Sequence, residues 1–155
     1  MNVILELGNP NMKGRHWEKV YAALQQPWYE GLSFCLEDLL SYNILNHADL
    51  VSETSAAASG EAQLEDSLET IQTGWADMEF VCLNHRDQNN IYILGGLDDI
   101  FMLLEDNQVT LQTMMGSRFI MGVREEVETW SKKLGLLSET IDEWVACQRN
   151  WMYLE

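Results

Sequence analysis

The chain has 155 residues, enough for one domain with a substantial core, and 46% of them are hydrophobic, including six Trp and eight Met, which excludes a disordered tail. Its formal net charge of −16 argues against a grip on nucleic acid, which needs Lys and Arg to neutralise phosphates. The charge also argues against an anionic membrane surface, and no apolar run approaches the roughly 18 residues that span a bilayer.

The N-terminal segment predicts a helix and no secretion signal. The opening MNVILELGNP has no basic region followed by a long apolar core, so it is not a signal peptide, and we expect a protein of the cytosol or of a space continuous with it. Residues 11–26 predict a helix that Pro27 stops. Its apolar face carries Trp17, Val20, Tyr21 and Leu24.

Two further helices follow. Residues 34–45 predict a short helix with an apolar side formed by Leu36, Leu39, Leu40 and Ile44. Residues 48–78 predict a longer one, with a strong periodic stripe from Leu64 to Met78. Within it, 52–60 is ambiguous, because Ser, Thr and Gly favour a loop while the Ala cluster permits a helix.

The periodicity then changes to that of a β-hairpin over residues 79–95. The runs EFVCL and IYILGG are rich in β-branched and aromatic residues and flank a polar connection. The tip of this hairpin is a candidate contact site, against the alternative of an ordinary surface turn, because exposed loops often carry contacts. The tip comprises Asn84, His85, Arg86, Asp87, Gln88, Asn89 and Asn90.

Helical spacing resumes after the hairpin. The pattern predicts helices over 97–115, 121–135 and 138–155, with Ser138 as the N-cap of the last. The predicted fold is therefore mainly α, an elongated helical bundle of amphipathic helices with one inserted β-hairpin, forming a single unit over 1–155. The predicted structural core includes Trp17, Trp75, Trp130, Trp144 and Trp151.

Two of these tryptophans carry specific expectations. Trp151 lies so close to the chain's last residue that a neighbour must cover it. Replacing Trp130 or Trp144 with Ala is expected to cost roughly 3–5 kcal/mol through lost burial.

No catalytic constellation is present in the sequence. It lacks a GxxxxGK[ST] phosphate loop, a GxGxxG turn and a GxSxG nucleophile elbow. His16, His47 and His85 are never preceded three residues earlier by Glu, which removes the di-iron pattern and favours surface or packing roles. Cys35, Cys82 and Cys147 are widely spaced and are expected to be buried, reduced thiols. We therefore expect no enzyme activity, cofactor or metal in this segment.

The order of motifs resembles the dynein heavy chain. The resemblance rests on NPNMKGRHWEKV, FCLEDLLSYNI, TGWADMEF, LNHRDQNNIYILGGLDDIFMLLEDNQVTLQTMM, SRFI, VETWSKKL and DEWVACQRNWMYLE, in that order over nearly the whole chain. The matching region is the N-terminal part of the linker, which precedes the AAA+ motor ring. The HRD loop followed by YIL is similar to that of axonemal heavy chains.

One segment departs from the family pattern. Where related chains usually carry a charged helical segment, this chain has SETSAAASG. Alignment with the family favours a helix there, while composition favours a break, so we expect a helix that is weakened or kinked near Gly60.

The resemblance implies a non-catalytic mechanical linker, or lever, that couples the ATPase cycle of the ring to movement along microtubules. It implies ATP and Mg in the parent ring, a chain that continues beyond Glu155, and a hairpin tip that touches the ring. Implied partners are the remaining linker and AAA+ ring of the same chain, the dynein intermediate and light chains, and microtubules through the parent stalk. The implied location is the cytoplasm and cytoskeleton, in the axoneme of a cilium or flagellum.

Two other classes remain as alternatives. The chain could be a free-standing helical protein-interaction module or scaffold, which would fold with full cooperativity on its own. A small helical metalloenzyme is the third class, and it would carry stoichiometric metal.

Overall fold

The computed structural model describes residues 3–86 and 90–154, and it is mainly α-helical with one β-hairpin, as predicted. The chain divides into two compact units, one ending at Leu64 and one beginning at Glu65, where the sequence suggested a single unit. One long helix, Ala48–Ala76, contributes residues to both units. Its buried residues belong to both units: Val51 and Ala58 to the first, Leu68 and Ile71 to the second.

The first unit contains α1 (Val3–Leu7), α2 (Gly14–Ala23), α3 (Leu36–Ser41), a 3-10 turn (Ile44–His47) and the first part of α4 (Ala48–Ala76). The sequence did not predict α1, which has five residues. The helices predicted over 11–26 and 34–45 are shorter than expected. Left-handed backbone conformations at Gln25 and Asn43, with φ of 56° and 59°, end the helical runs there.

The core of the first unit is formed by apolar side chains of these helices, and the predicted stripe of α2 faces it. Val20, Tyr21 and Leu24 are buried, and Trp17 packs against them as a partly buried residue. Its ring centroid lies 4.8 Å from that of Phe34, and the centroids of Tyr21 and Trp28 are 5.1 Å apart. Such tilted aromatic pairs add stabilisation beyond area burial.

Helix α4 continues without interruption through residues 52–60, where composition favoured a break. The small side chains serve a close approach of the N-terminal segment. Asn9 Nδ2 donates to the Ser55 carbonyl at 3.0 Å and to Oγ of Ser55 and Ser59 at 2.9 Å each. Ala58 is almost fully buried. Ser55, Ala58 and Ser59 therefore form a packing surface of the helix, and the helix has no break there.

The second unit contains the C-terminal part of α4, the strands β1 (Val81–Asn84) and β2 (Tyr92–Gly95), α5 (Asp98–Met115), a 3-10 turn (Ile120–Gly122) and α6 (Arg124–Leu154). The strands are antiparallel and adjacent, with Val81 opposite Gly95 and Asn84 opposite Tyr92. The hairpin prediction is confirmed, and the helix predicted over 97–115 corresponds to α5.

The prediction of two helices over 121–135 and 138–155 is wrong, because α6 is one helix of 31 residues. Helix α5 packs against α6, and buried α6 residues lie on both sides of Gly135. These are Val127, Leu134 and Ile141. Glycine inside a helix costs only about 1 kcal/mol relative to Ala, and burial on both sides outweighs it. Ser138 is therefore an interior residue, and it caps no helix.

Exposure corrects two further expectations. Cys35, Cys82 and Cys147 are exposed free thiols; Cys82, for example, lies on a two-stranded ribbon whose β1 residues are all exposed.

The predicted core tryptophans differ in exposure. Trp17, Trp75 and Trp130 are half-buried. Trp144 is 57% exposed and Trp151 is 38% exposed, so neither is a core residue here. Both lie beyond Ile141, the last buried residue of α6.

Candidate functional site

The structure separates the predicted hairpin tip into different environments. Asn84 ends β1, while Arg86 and Asn90 are exposed. Arg86 has a left-handed backbone with φ of 52°. His85 is only 4% exposed, so its side chain is a packing residue. Asp87, Gln88 and Asn89 lie outside the described residues.

One amide side chain joins the hairpin to α6. Gln148 Oε1 accepts a hydrogen bond from the Leu94 backbone N–H at 2.7 Å, and its Nε2 donates to the Leu94 carbonyl at 2.9 Å. The groups of Leu94 are available because hydrogen-bonded and non-bonded pairs alternate along an antiparallel ladder. Gln148 therefore occupies the outer edge of β2 as a neighbouring strand would.

An aromatic contact lies one helical turn further along α6. The ring of Trp151 meets the ring of His85 edge to face, with centroids 5.0 Å apart. Residues 148 and 151 fall on one side of a helix, so both contacts come from the same face of α6. Together they fix the base of the hairpin against the C-terminal half of that helix.

A groove of about 640 Å³ runs beside these contacts, between β2 and α6. Tyr92 and Ile93 line it from the strand, while Trp144, Cys147 and Trp151 line it from the helix. Tyr92 is 62% exposed and Trp144 57% exposed. The groove is largely apolar and open, with one carboxylate, Glu143, on its wall.

A second group of functional side chains lies in the first unit, where α2 meets α4. Glu61 is 8% exposed, and its Oε2 accepts a hydrogen bond from Arg15 Nε at 2.9 Å as well as contacting the second guanidinium nitrogen. His16 Nε2 lies 3.1 Å from the same oxygen. A buried carboxylate must be paired, and Arg15 supplies the charge.

The sequence reasoning missed Gln148 and His16. The partner of Gln148 lies 54 residues away, and no local pattern predicts such a pairing. His16 was assigned to a surface or packing role. The only local signal was its position near the start of a predicted helix, where a side-chain acceptor can reach the N-cap N–H.

Within residues 3–86 and 90–154, no group of three or more His, Cys, Asp or Glu side chains could hold a metal ion. Across the same residues, none of the helices combines the length and apolar character needed to cross a bilayer.

The matching family model and several similar known proteins all belong to dynein heavy chains. The family model described as "Dynein heavy chain, N-terminal region 2" matches residues 1–155. The chain is 38% identical over 154 residues to "Dynein axonemal heavy chain 6" of Homo sapiens, covering 99% of this chain and 4% of that protein. It is 35% identical over 156 residues to "Dynein axonemal heavy chain 2" of Mus musculus, covering 100% and 4%. It is 34% identical over 155 residues to "Dynein beta chain, ciliary" of Tripneustes gratilla, covering 100% and 3%. The chain thus spans a small part of the length of these relatives.

Proposed function

The chain belongs to the dynein heavy chain family, in its N-terminal region 2, and from this premise we propose that it is a non-catalytic mechanical linker segment. In this role it transmits the ATPase cycle of an AAA+ ring into movement along microtubules. The observation that carries the proposal is the match of the whole chain to this one region of a motor protein.

The long helices support a mechanical role. Helix α4 has 29 residues and α6 has 31, so α6 is about 46 Å long at 1.5 Å per residue. The packing of α5 along α6 adds stiffness, because close-packed interiors have low compressibility. A segment that transmits displacement needs such stiffness.

The relatives suggest the setting in which the segment works. Since they are named axonemal and ciliary dyneins, we place the parent chain in the cytoskeleton of a cilium or flagellum. Its partners there are the rest of the linker and the ring, dynein intermediate and light chains, and microtubules through the stalk. ATP and Mg act in the ring. The net charge of −16 suits a segment that does not itself bind the acidic microtubule surface.

Within this role, the hairpin tip, Asn84 to Asn90, is our candidate contact with the ring. The exposed positions Arg86 and Asn90 support it, since they lie next to the docked base at His85. A contact that differs between two states by about 5.5 kcal/mol would reverse a 1:99 population.

The test is to break the stiffness of α6 in the complete heavy chain. A Gly135→Pro variant removes a helix hydrogen bond and clashes with the preceding turn, at about 3 kcal/mol or more. Gly135→Ala is the matched control, because a Cβ at this position meets no atom within 4 Å. We expect Gly135→Pro to slow microtubule gliding severely while ATP hydrolysis continues, and Gly135→Ala to glide normally.

Retained hydrolysis shows that the ring is folded, so slowed gliding then reports lost transmission. Normal gliding by the Gly135→Pro protein would contradict the lever role. Loss of complex assembly with an unchanged gliding rate for the free heavy chain would instead favour the scaffold function.

A further inference from the structure

Helix α2 begins with an unusual cap. Lys13 precedes the helix in an extended conformation, with φ of −96° and ψ of 172°. Its backbone N–H donates to Nδ1 of His16 at 3.0 Å, and the His16 N–H donates to the Lys13 carbonyl at 2.9 Å. The second bond is an ordinary backbone bond of the first helical turn, and the first is one half of a capping box, in which the acceptor is usually a Glu or Gln that takes the third helical position. Here a titratable imidazole takes it.

The geometry fixes the proton on the other ring nitrogen. Because Nδ1 accepts from Lys13, the neutral ring carries its hydrogen on Nε2, which lies 3.1 Å from Glu61 Oε2. Protonating His16 puts a hydrogen on Nδ1, the atom that accepts the Lys13 N–H. Two donors then face each other, and the cap bond cannot persist.

The surroundings of His16 set the direction of its titration. Burial of the ring lowers its pKa below the ordinary value of 6.5; Glu61 opposes this effect, while Arg15 and Lys13 add to it. In the folded protein the ring therefore stays neutral to a lower pH than in an unfolded chain. Its contribution to stability is complete above pH 6.5 and is lost as the pH falls through the folded pKa.

We infer that His16 makes the N-terminal cap of α2 acid-sensitive, so that acidification releases the first turn of this helix. Three features produce this sensitivity: the buried imidazole of His16, a cap hydrogen bond that uses the only acceptor nitrogen of that ring, and the neighbouring charged pair of Arg15 and Glu61. The cap stays closed above pH 6.5, and the attachment of the start of α2 to α4 loosens as the pH falls through the lowered pKa of His16.

Hydrogen–deuterium exchange of the complete heavy chain tests this inference, read on the peptide that covers residues 13–20 between pH 5.5 and 8. The variant His16→Gln keeps a capping-box acceptor that does not titrate. The ratio of exchange rates, wild type over His16→Gln, is expected near one at pH 8. At pH 5.5 it should rise about fivefold, the effect of losing one cap. His47→Gln is the control, because His47 lies outside the group formed by Arg15, His16 and Glu61. The ratio of exchange rates, wild type over His47→Gln, should not change with pH.

A wild-type to His16→Gln ratio that is constant over the whole pH range would overturn the inference. If His16→Gln already exchanges faster than wild type at pH 8, Glu61→Gln provides the test. Removing the carboxylate removes the group that favours the protonated ring, so the onset of faster exchange should move to lower pH, after correction for the intrinsic pH dependence of exchange. An unmoved onset, or one at higher pH, would also overturn the inference.

Discussion

Each compact unit attaches a short element to a long helix, and the two attachments are built differently. In the first unit, the segment around Asn9 and the start of α2 lie against α4. Asn9 donates to Ser55 and Ser59, and Arg15 pairs with Glu61. Ala58, between these polar groups on the helix, is only 1% exposed. This attachment depends on close approach as well as on polar pairing.

In the second unit, the hairpin lies against α6 through two directional contacts, Gln148 with Leu94 and Trp151 with His85. Much of its apolar surface stays open: Val81 is 49% exposed and Leu83 is 48% exposed. Few contacts and open backbone groups characterise elements that open at low free energy.

This difference indicates which kind of substitution should weaken each attachment. An attachment that packs closely is sensitive to added volume, because interiors leave no room for extra methylenes. An attachment made of directional contacts is sensitive to the loss of one group. The hairpin is therefore the element that the loss of one contact can release, whereas the α2–α4 attachment is loosened by added volume or by protonation of His16.

The largest effect is expected where volume is added to the close approach. Ala58→Leu should destabilise the first unit by about 1–3 kcal/mol through overpacking. Ala56→Leu is the matched control, because Ala56 is exposed on the same helix, and it should change stability by no more than about 0.5 kcal/mol. Urea unfolding followed by tryptophan fluorescence gives both values. Equal effects of the two substitutions would remove the distinction between the attachments.

The same stretch shows how far the sequence could predict the fold. Periodic apolar stripes predicted α4 and α5, because burial of a stripe drives helix formation in a protein. Ser55 and Gly60 suggested a break only because composition does not reveal a neighbouring segment. The helix is favoured there by packing against the N-terminal segment, which no local pattern contains.

Gly135 and Ser138 misled the prediction in a related way. Both suggest a helix end in isolation, yet Leu134 and Ile141 are buried on either side, and their packing keeps α6 continuous. The hairpin was predicted from its strands, but its attachment to Gln148 was not. Pairings between residues 54 positions apart follow from the tertiary fold, whereas a cap such as Lys13–His16 lies within reach of sequence reasoning.

A smaller effect is expected from loosening the hairpin. Gln148→Ala removes both hydrogen bonds to Leu94. It should lower the free energy of opening of β2 by about 1 kcal/mol, which corresponds to amide exchange about fivefold faster. Glu143→Ala is the control, since Glu143 is an exposed residue that lines the same groove. Hydrogen exchange at the Leu94 amide measures the change. An unchanged Leu94 rate in Gln148→Ala would mean that other contacts hold the hairpin.

The smallest effect is expected from Trp144→Ala, although the sequence alone suggested a core residue. A tryptophan in a full core costs about 3–5 kcal/mol to truncate, but Trp144 is 57% exposed on the groove wall. Its loss should therefore change the stability of this chain by no more than about 0.5 kcal/mol. Trp130→Ala should cost more, because that ring is half-buried and lies under Lys133 Nζ at 5.0 Å. Urea unfolding measures the loss in the free energy of unfolding for each of the two variants. A cost for Trp144→Ala equal to or above that of Trp130→Ala would show that the groove is closed in solution, and the hairpin attachment would then resemble the tightly packed one.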